Sequence, residues 1–557
     1  MRRTTVISTG EKAFRLISEP NFIRKWLDLY GACSWGTVFQ SPDFVKVWYE
    51  TYREKFSPVI LTMTGPDGEL CGLLTLAENI SSGQLVYAGD VFSEYQVWLA
   101  HGDAKDTFIL EALALLGEMW PRQVLMLRYL PPGTRLGPLE KSGWIRNMVL
   151  LRPSSRPLID LDQGQRIERS LKSKQVKLNR LKKLGTVSFR RVENAEFSEV
   201  LLRVWPLYEF RQIGQYNSSP LVGDADLKRF LVAMAKHPDA VHMTVLKVDE
   251  AIIAWLLGIQ GNGYFHLTAT GFSPFHARHS PAMLHMLMLA KSLNQERSVF
   301  DLTPGGDKYK DQLATCHEVT HTLYFFPSFR AAIEYKQTRI LAGKAVKKVV
   351  RIALKNPARS MAASFFGGKR DTPFVGNQHP RELGVRFRLH KFDAAYFGRL
   401  DERVDAVRKN SVADLIRYES TQAQSLRDFV REARGFIDQG ADAYTLVRGG
   451  LLVASCWIMT GERAPSAGLA NYGVPAGTAL LVGFYVHASE DPAKMLSICM
   501  EKWRGEIAPV KKATEIIIGI PETDVFRDIL VSGEETPEGL LSGNQVIAVG
   551  CQDMVGK

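Results

Sequence analysis

This sequence has few cysteines and no long apolar runs. Six cysteines are scattered among 557 residues, without a Cys-x-x-Cys pair or a Cys/His cluster. Their spacing argues against a zinc site and against a disulfide framework. No stretch approaches the roughly 18 consecutive apolar residues of a membrane span, and Arg2-Arg3 is not followed by the apolar core of a signal peptide. We therefore expect a metal-free cytoplasmic protein.

The composition indicates a folded protein of several domains. Hydrophobic residues make up 45% of the chain and charged residues 23%, a balance that argues against global disorder. At 557 residues, the chain is too long for one hydrophobic core, so about two to four domains are expected.

Positive charge is concentrated in two segments. The formal net charge is +11, and many of the cations lie in Arg166–Arg191 and Tyr335–Arg359. Basic patches attract polyanions such as nucleotide phosphates, acyl-CoA, RNA or an anionic membrane. A solvated helix face explains each patch equally well.

An order of hairpin, strand, helix and strand recurs three times. The central copy has a hairpin over 245–259, a strand over 264–272, an irregular stretch over 273–279, a helix over 281–294 and a strand over 298–302. Ser280 can cap that helix and Pro281 suits its first turn. The early copy covers 59–129 and the late copy 444–520.

This repetition predicts an α/β (α+β) fold of repeated mixed sheets flanked by helices. The expected domains are residues 1–155, 156–330 and 381–557, with a basic helical linker over 331–380. The first boundary rests on Pro153-Ser154-Ser155, which we expect to break regular structure.

Residues 170–184 predict one amphipathic helix, with leucines on one face and cations on the others. We expect Lys174, Lys177 and Arg180, together with Lys308 and Lys310 farther along the chain, to contact the substrate or a phosphate-bearing ligand. The alternative is a surface helix with solvated lysines.

Polar groups also follow the strand over 298–302. A buried carboxylate is costly unless it is paired, so Asp301 is a functional or ion-paired group with Lys308 or Lys310 as its natural partner. The strand residue His266 is more often a hydrogen-bonded core histidine, and catalysis is the alternative.

Four segments together resemble the CelD/BcsL-type acetyltransferase family, which is associated by name with bacterial cellulose biosynthesis. This family is a GNAT (Gcn5-related N-acetyltransferase) branch related to the FemAB peptidyltransferases. The resemblance covers roughly 31–326, and it is carried by residues 38–44, 172–184, 270–274 with 280–282, and 300–310.

The resemblance implies transfer of an acyl group from acyl-CoA to an amine or hydroxyl on a small molecule or cell-surface precursor. The expected catalytic residues are Tyr309, which would protonate the departing thiolate, and a base chosen among Glu209, Asp301, His266 and His279.

The resemblance also implies a cofactor-binding turn. Helix starts attract anions, and the expected contacts are Arg278, His279, Ser280, Ala282 and Thr270. The glycine pattern usual in GNAT enzymes is missing, since no glycine lies between Gly271 and Gly305.

Two other functions stay open. One is a FemAB-like transferase that uses aminoacyl-tRNA, favoured by the positive charge and the missing glycines. The other is a non-catalytic scaffold of an envelope complex. The late copy favours the second, because Glu490 and Asp491 stand where phosphate would bind.

Overall fold

A computed structural model describes most of the chain. The described residues are 4–143, 145–160, 164–219, 224–237, 239–296, 298–328, 330–333, 335, 387–393, 406–421, 424–460, 479–511, 515–521 and 546–547. The second basic segment and the linker predicted over 331–380 lie, beyond Tyr335, outside these residues.

The chain divides into two compact units. The first comprises residues 1–201, 221–270 and 282–370, and the second comprises 202–220, 271–281 and 371–557. Each unit is therefore built from separate stretches of chain, whereas the sequence predicted domains that follow one another.

The first sheet of the first unit is antiparallel in every recorded strand pair. Its strand order is β1-β2-β3-β4, with β5 beside β3. The strands are β1 (Thr4–Thr9), β2 (Phe56–Thr64), β3 (Leu70–Asn79), β4 (Leu85–Tyr87) and β5 (Leu99–Ala100). Helices in this stretch are α1 (Gly10–Ser18), α2 (Pro20–Ala32), α3 (Pro42–Thr51) and α4 (Ala104–Met119), with short 3-10 helices at Val38–Gln40 and Asp90–Phe92. The prediction of a mixed sheet is wrong here.

The second sheet of the first unit has the order β6-β13-β7-β12-β11-β10-β9-β8. Its strands are β6 (Leu125–Leu130), β7 (Val149–Ile159), β8 (Val187–Arg191), β9 (Val241–Val248), β10 (Ala251–Gly261), β11 (Tyr264–Phe272), β12 (Val299–Asp301) and β13 (Cys316–Phe325). The predicted hairpin and both later strands of the central copy are confirmed.

Helices between Gly137 and Leu313 follow the predicted pattern in part. They are α5 (Gly137–Lys141), α6 (Gly164–Ser173), α7 (Gln175–Lys182), α8 (Phe197–Tyr216), α9 (Asp226–Met234), α10 (Pro281–Gln295) and α11 (Lys308–Leu313). The helix predicted to begin at Pro281 is confirmed. The single helix predicted over 170–184 is wrong, because the backbone leaves helical geometry at Lys174, with φ −98° and ψ 3°.

Three other local predictions are wrong. Pro153-Ser154-Ser155 lies within β7, where the paired strand β13 holds the backbone extended. The last strand of the early copy, which ends that copy at residue 129, is β6, and it pairs with β13 of the second sheet rather than with a strand of the first. Residues 274–279 form a 3-10 helix rather than an irregular loop.

The core beside β11 is packed tightly enough to require glycine at position 258. A Cβ atom on Gly258 would lie 2.2 Å from Cζ of Phe265, which is itself fully buried. The Gly258→Ala variant should therefore lower the free energy of unfolding by about 1–3 kcal/mol, as overpacking does. Urea denaturation measures this change.

Gly31→Ala is the matched control, because nothing lies within 4 Å of its added Cβ. This exposed position in α2 should be neutral or gain up to about 1 kcal/mol. Equal effects of the two substitutions would contradict the packing argument.

The described residues of the second unit form one mixed sheet, as predicted for the late copy. Its order is β15-β16-β17-β18-β19-β14-β20, and β18 and β19 are parallel. The strands are β14 (Phe387–Asp393), β15 (Arg408–Lys409), β16 (Asp442–Arg448), β17 (Leu451–Thr460), β18 (Ala479–Val486), β19 (Glu515–Pro521) and β20 (Val546–Ile547). Its other helices are α12 (Val412–Leu415), α13 (Leu426–Asp438) and α14 (Pro492–Lys511). Among the described helices of both units, none is long and apolar enough to cross a membrane.

Candidate active site

Strands β11 and β12 run parallel over three residue pairs, the last of which joins His266 to Asp301. Beyond this pair β11 continues to Phe272, whereas β12 ends at Asp301. The sheet therefore places these two residues side by side at the carboxyl end of β12, where loops often carry function.

The Asp301 carboxylate is fully buried and heavily hydrogen-bonded. Its Oδ2 accepts from His266 Nδ1 at 2.8 Å, from Arg156 Nη2 at 2.8 Å and Nε at 3.0 Å, and from the Tyr95 hydroxyl at 2.7 Å. Its Oδ1 accepts from the Thr303 backbone N–H at 2.8 Å. Burial alone would raise the pKa of Asp301, but the His266 hydrogen bond and the Arg156 charge hold it well below its usual range. The carboxylate is therefore ionised.

Arg156 supplies the buried positive charge. It lies on β7, and its guanidinium carbon is 4.8 Å from the ring centroids of both Tyr95 and Tyr264. Its Nη1 also donates to the partly exposed Glu318 at 3.0 Å. Cation–π contacts and charge-assisted hydrogen bonds compensate the desolvation of this guanidinium.

His266 has one nitrogen bound and one nitrogen available. Nδ1 faces Asp301, whereas the buried Nε2 has no hydrogen-bond partner among the described residues. The ring packs against Phe39, Tyr95 and Tyr264, with centroid distances of 5.3, 5.4 and 5.8 Å. Because Nδ1 keeps its hydrogen and donates it in a hydrogen bond to the carboxylate, the lone pair of the neutral imidazole lies on Nε2. His266 is thus arranged to accept a proton.

A second buried cation fixes the turn after Asp301. Thr303 has a left-handed φ of +61°, which is costly for a β-branched residue. Lys310 donates from Nζ to the Thr303 carbonyl at 3.0 Å and to its hydroxyl at 3.2 Å. Lys310 therefore supports the residue that donates to Asp301. The predicted pairing of Asp301 with Lys308 or Lys310 is wrong, because Arg156 takes that place and Lys308 is exposed.

Tyr309 and the first part of the basic segment Arg166–Arg191, hereafter the cationic segment, share one apolar cluster. Ile167 and Leu171 of α6 pack into the core that lies around Leu313, and Tyr309 packs partly buried against the same core. Lys174 and Lys177 are half-buried and Arg180 is exposed. The shared core brings α6 and Tyr309 to the same part of the first unit.

The predicted cofactor contacts are divided between the two units. Thr270 and Ala282 belong to the first unit, and the Thr270 hydroxyl donates to the Trp255 carbonyl at 3.0 Å. Arg278, His279 and Ser280 belong to the second unit. There, Arg278 Nε donates to His279 Nε2 at 3.1 Å, and Ser280 has φ +52°.

The second unit also contains Glu209. Its carboxylate accepts from the Ser219 hydroxyl at 2.9 Å. In the late copy, Asp491 Oδ1 accepts from the Lys494 backbone N–H at 2.7 Å near the start of α14. A carboxylate of the chain thus occupies a position where an external anion would otherwise bind.

The residues near His266 that the sequence did not predict as site residues include Arg156, Phe39 and Tyr95. Arg156 stands beside the Pro153-Ser154-Ser155 stretch that was interpreted as a break. Reading this stretch as an alternating strand would have placed a cation in the sheet. Phe39 lies in a segment that carries the family resemblance but was not assigned a role, and no local signal marked Tyr95.

One family model matches the middle of the chain. Residues 169–311 match the family described as Acetyltransferase (GNAT) domain, and this range includes His266, Asp301, Tyr309 and Lys310. No curated protein matches the chain. The narrower resemblance to CelD/BcsL enzymes stays a prediction.

Several solved structures are similar to the chain at low identity. FemX is 8% identical, with a TM-score of 0.39 and coverage of 55% of this chain and 95% of that chain. The C-terminal domain of a putative lysylphosphatidylglycerol synthetase from Agrobacterium fabrum is 11% identical, with a TM-score of 0.38 and coverage of 57% and 95%. A tandem GNAT protein from the clavulanic acid biosynthesis pathway is 13% identical, with a TM-score of 0.36 and coverage of 58% and 98%. The match to the family described as Acetyltransferase (GNAT) domain is confined to residues 169–311.

Proposed function

We propose that this protein is an acyltransferase that moves an acyl group from acyl-CoA to an acceptor, with His266 as the general base. One observation carries the proposal. Inside the range that matches a GNAT domain, a buried histidine is bonded through Nδ1 to an ionised carboxylate, and no described residue bonds its Nε2. That arrangement is the one required for proton removal from an attacking nucleophile.

Each side chain has a distinct role in this proposal. Asp301 fixes the tautomer and orientation of His266 and stabilises the imidazolium that forms when the proton is taken. Arg156, Tyr95 and the Thr303 N–H hold the carboxylate in place. They are positioning residues, because their contacts are with Asp301. Tyr309 is proposed to return a proton to the departing thiolate.

The acceptor is proposed to be a small molecule or an envelope or exopolysaccharide precursor. This part of the proposal rests on the CelD/BcsL resemblance of residues 38–44, 172–184, 270–274 with 280–282, and 300–310.

Binding and turnover of acetyl-CoA test the function directly. The full chain is melted with acetyl-CoA, longer acyl-CoAs or free CoA, and thiol release from acetyl-CoA is followed separately. A donor at a hundredfold excess over its dissociation constant should stabilise the protein by about 2.7 kcal/mol. A melting temperature that no CoA compound changes, together with no thiol release, would rule out the proposal.

The cationic segment is proposed to contact the phosphates of the donor. Changing Lys174 and Lys177 together to alanine should weaken acetyl-CoA binding about tenfold at low salt and flatten its salt dependence. The melting temperature should stay the same or rise slightly, because neighbouring like charges are removed. Titrations at several salt concentrations measure both effects.

Lys182→Ala with Lys183→Ala removes the same charge from exposed positions of the same segment. This control should change binding much less. Equal binding by both double variants and the unmodified chain would identify the segment as a solvated surface.

A further inference from the structure

We propose that the acceptor group is a neutral hydroxyl rather than an amine. This inference rests on the proposed function and narrows its substrate class. Three observations carry it. His266 Nε2 can accept a proton, the buried Arg156 guanidinium shares Asp301 with this histidine, and the oxygens of Asp301 already accept hydrogen bonds.

The carboxylate beside His266 is not available to bind an ammonium group. Asp301 Oδ2 already accepts hydrogen bonds from His266, Arg156 and Tyr95, and Oδ1 accepts from the Thr303 N–H. A primary amine in water is mostly protonated, because alkylammonium groups have pKa values of roughly 10. Such a cation would need an anionic partner at this position, since the desolvation of an unpaired charge is expensive.

The neighbouring buried charge is positive, which disfavours an ammonium further. The Arg156 guanidinium lies against the rings of Tyr95 and Tyr264. These two rings also pack on His266. Like charges repel more strongly where water is excluded. An amine would therefore have to lose its proton before entering, whereas a hydroxyl enters uncharged.

The rings around His266 suit an uncharged group. Phe39, Tyr95 and Tyr264 provide apolar surface on the imidazole. Tyr95 is held by its bond to Asp301 and Tyr264 by its contact with Arg156. Phe39 is fully buried and packs through ring contacts alone, on Phe44 and Tyr95 as well as on His266.

The step balances without another reactant. His266 Nε2 takes the hydroxyl proton while the oxygen attacks the thioester carbonyl carbon. The carbon–sulfur bond then breaks, an ester forms, and the thiolate leaves with its electron pair. The proton held by His266 neutralises the thiolate, directly or through Tyr309. The products are an O-acyl ester and free CoA, and His266 returns to its starting state.

A matched pair of acceptors tests the inference. The full chain is incubated at neutral pH with acetyl-CoA and either 2-phenylethanol or 2-phenylethylamine, and the acetylated products are measured by mass spectrometry after subtracting uncatalysed reaction. We expect the alcohol to react at least about tenfold faster than the amine. The His266→Asn variant should lose about a hundredfold or more of the alcohol rate.

The outcomes separate the inference from the function on which it rests. Suppose that acetyl-CoA raises the melting temperature, as the proposed function requires. Faster acetylation of the amine than of the alcohol would then overturn the hydroxyl assignment, and so would an alcohol rate that is the same in the unmodified chain and in His266→Asn. Absence of both acetyl-CoA stabilisation and thiol release would instead remove the acyltransferase proposal itself. The comparison of the two acceptors in the unmodified chain needs no variant to fold.

Discussion

Replacing Asp301 by asparagine should lower the free energy of unfolding by about 3–5 kcal/mol, because it leaves Arg156 charged and buried without its carboxylate. The remaining carboxylate partner of Arg156 among the described residues is Glu318, whose side chain is 38% exposed. The asparagine side chain also alters the hydrogen bonds that position 301 accepts from His266 and Tyr95. Urea denaturation followed by tryptophan fluorescence measures the loss.

Glu318→Gln is the matched control, since it removes a partner of the same arginine at a partly exposed position. It should cost less than about 1 kcal/mol. The double variant Asp301→Leu with Arg156→Met should recover much of the stability lost in Asp301→Asn, because no buried charge remains. A loss below about 1 kcal/mol in Asp301→Asn would show that Arg156 is not held by this carboxylate.

The ion pair between Asp301 and Arg156 also determines whether acid raises or lowers the free energy of unfolding. The pKa of Asp301 is lower in the folded protein than its ordinary value, through the hydrogen bond from His266 and the charge of Arg156 acting against burial. Its contribution to stability is fully present above the unfolded pKa of about 3.9. That contribution is lost as the pH falls through the lower pKa of the folded state.

Replacing His266 by asparagine should reduce the rate of acyl transfer by about a hundredfold to ten-thousandfold. The asparagine amide can still donate to Asp301, but it has no atom that takes the place of Nε2 as a base. Stability should therefore change much less than in Asp301→Asn. Single-turnover kinetics with acetyl-CoA separate the chemical step from donor binding.

His317→Asn provides the matched control for this substitution. The His317 side chain is 44% exposed and contacts Asp311 rather than the buried network. Its rate should equal that of the unmodified chain. A His266→Asn variant that keeps its full rate would make His266 a structural residue of the core.

The sequence predicted local elements well because their signals are local. Pro281, for example, stands at the first position of the helix that it predicts. Ser280, which was expected to cap that helix, instead has a left-handed backbone with φ +52°. The order of hairpin, strand, helix and strand followed from such signals in all three copies.

The pairing of strands within the sheets could not be predicted from such local signals. Strand β6 completes the early copy in sequence, but its observed partner is β13, far along the chain. Pro153 suggested a break because it cannot donate a ladder hydrogen bond. The neighbouring residues nevertheless pair with β13, and the strand continues to Ile159.

The candidate site shows the same limit. Burial of Asp301 implied a cation, and the nearby lysines were the natural choices by sequence distance. The observed partner is Arg156, 145 residues away, because β7 lies next to β12 in the sheet. Only the strand order identifies this partner.

That strand order also determines when, during synthesis, the second sheet of the first unit can form. Strand β7 lies between β12 and β13 in the sheet, and both are synthesised long after it. At about 5–20 residues per second, Arg156 emerges from the ribosome roughly 7–30 seconds before Asp301. During this interval β7 has neither of its neighbours, and its arginine has no carboxylate from β12. The second sheet of the first unit can therefore close only when β13 has been made, which leaves a long strand exposed to pairing with other chains until then.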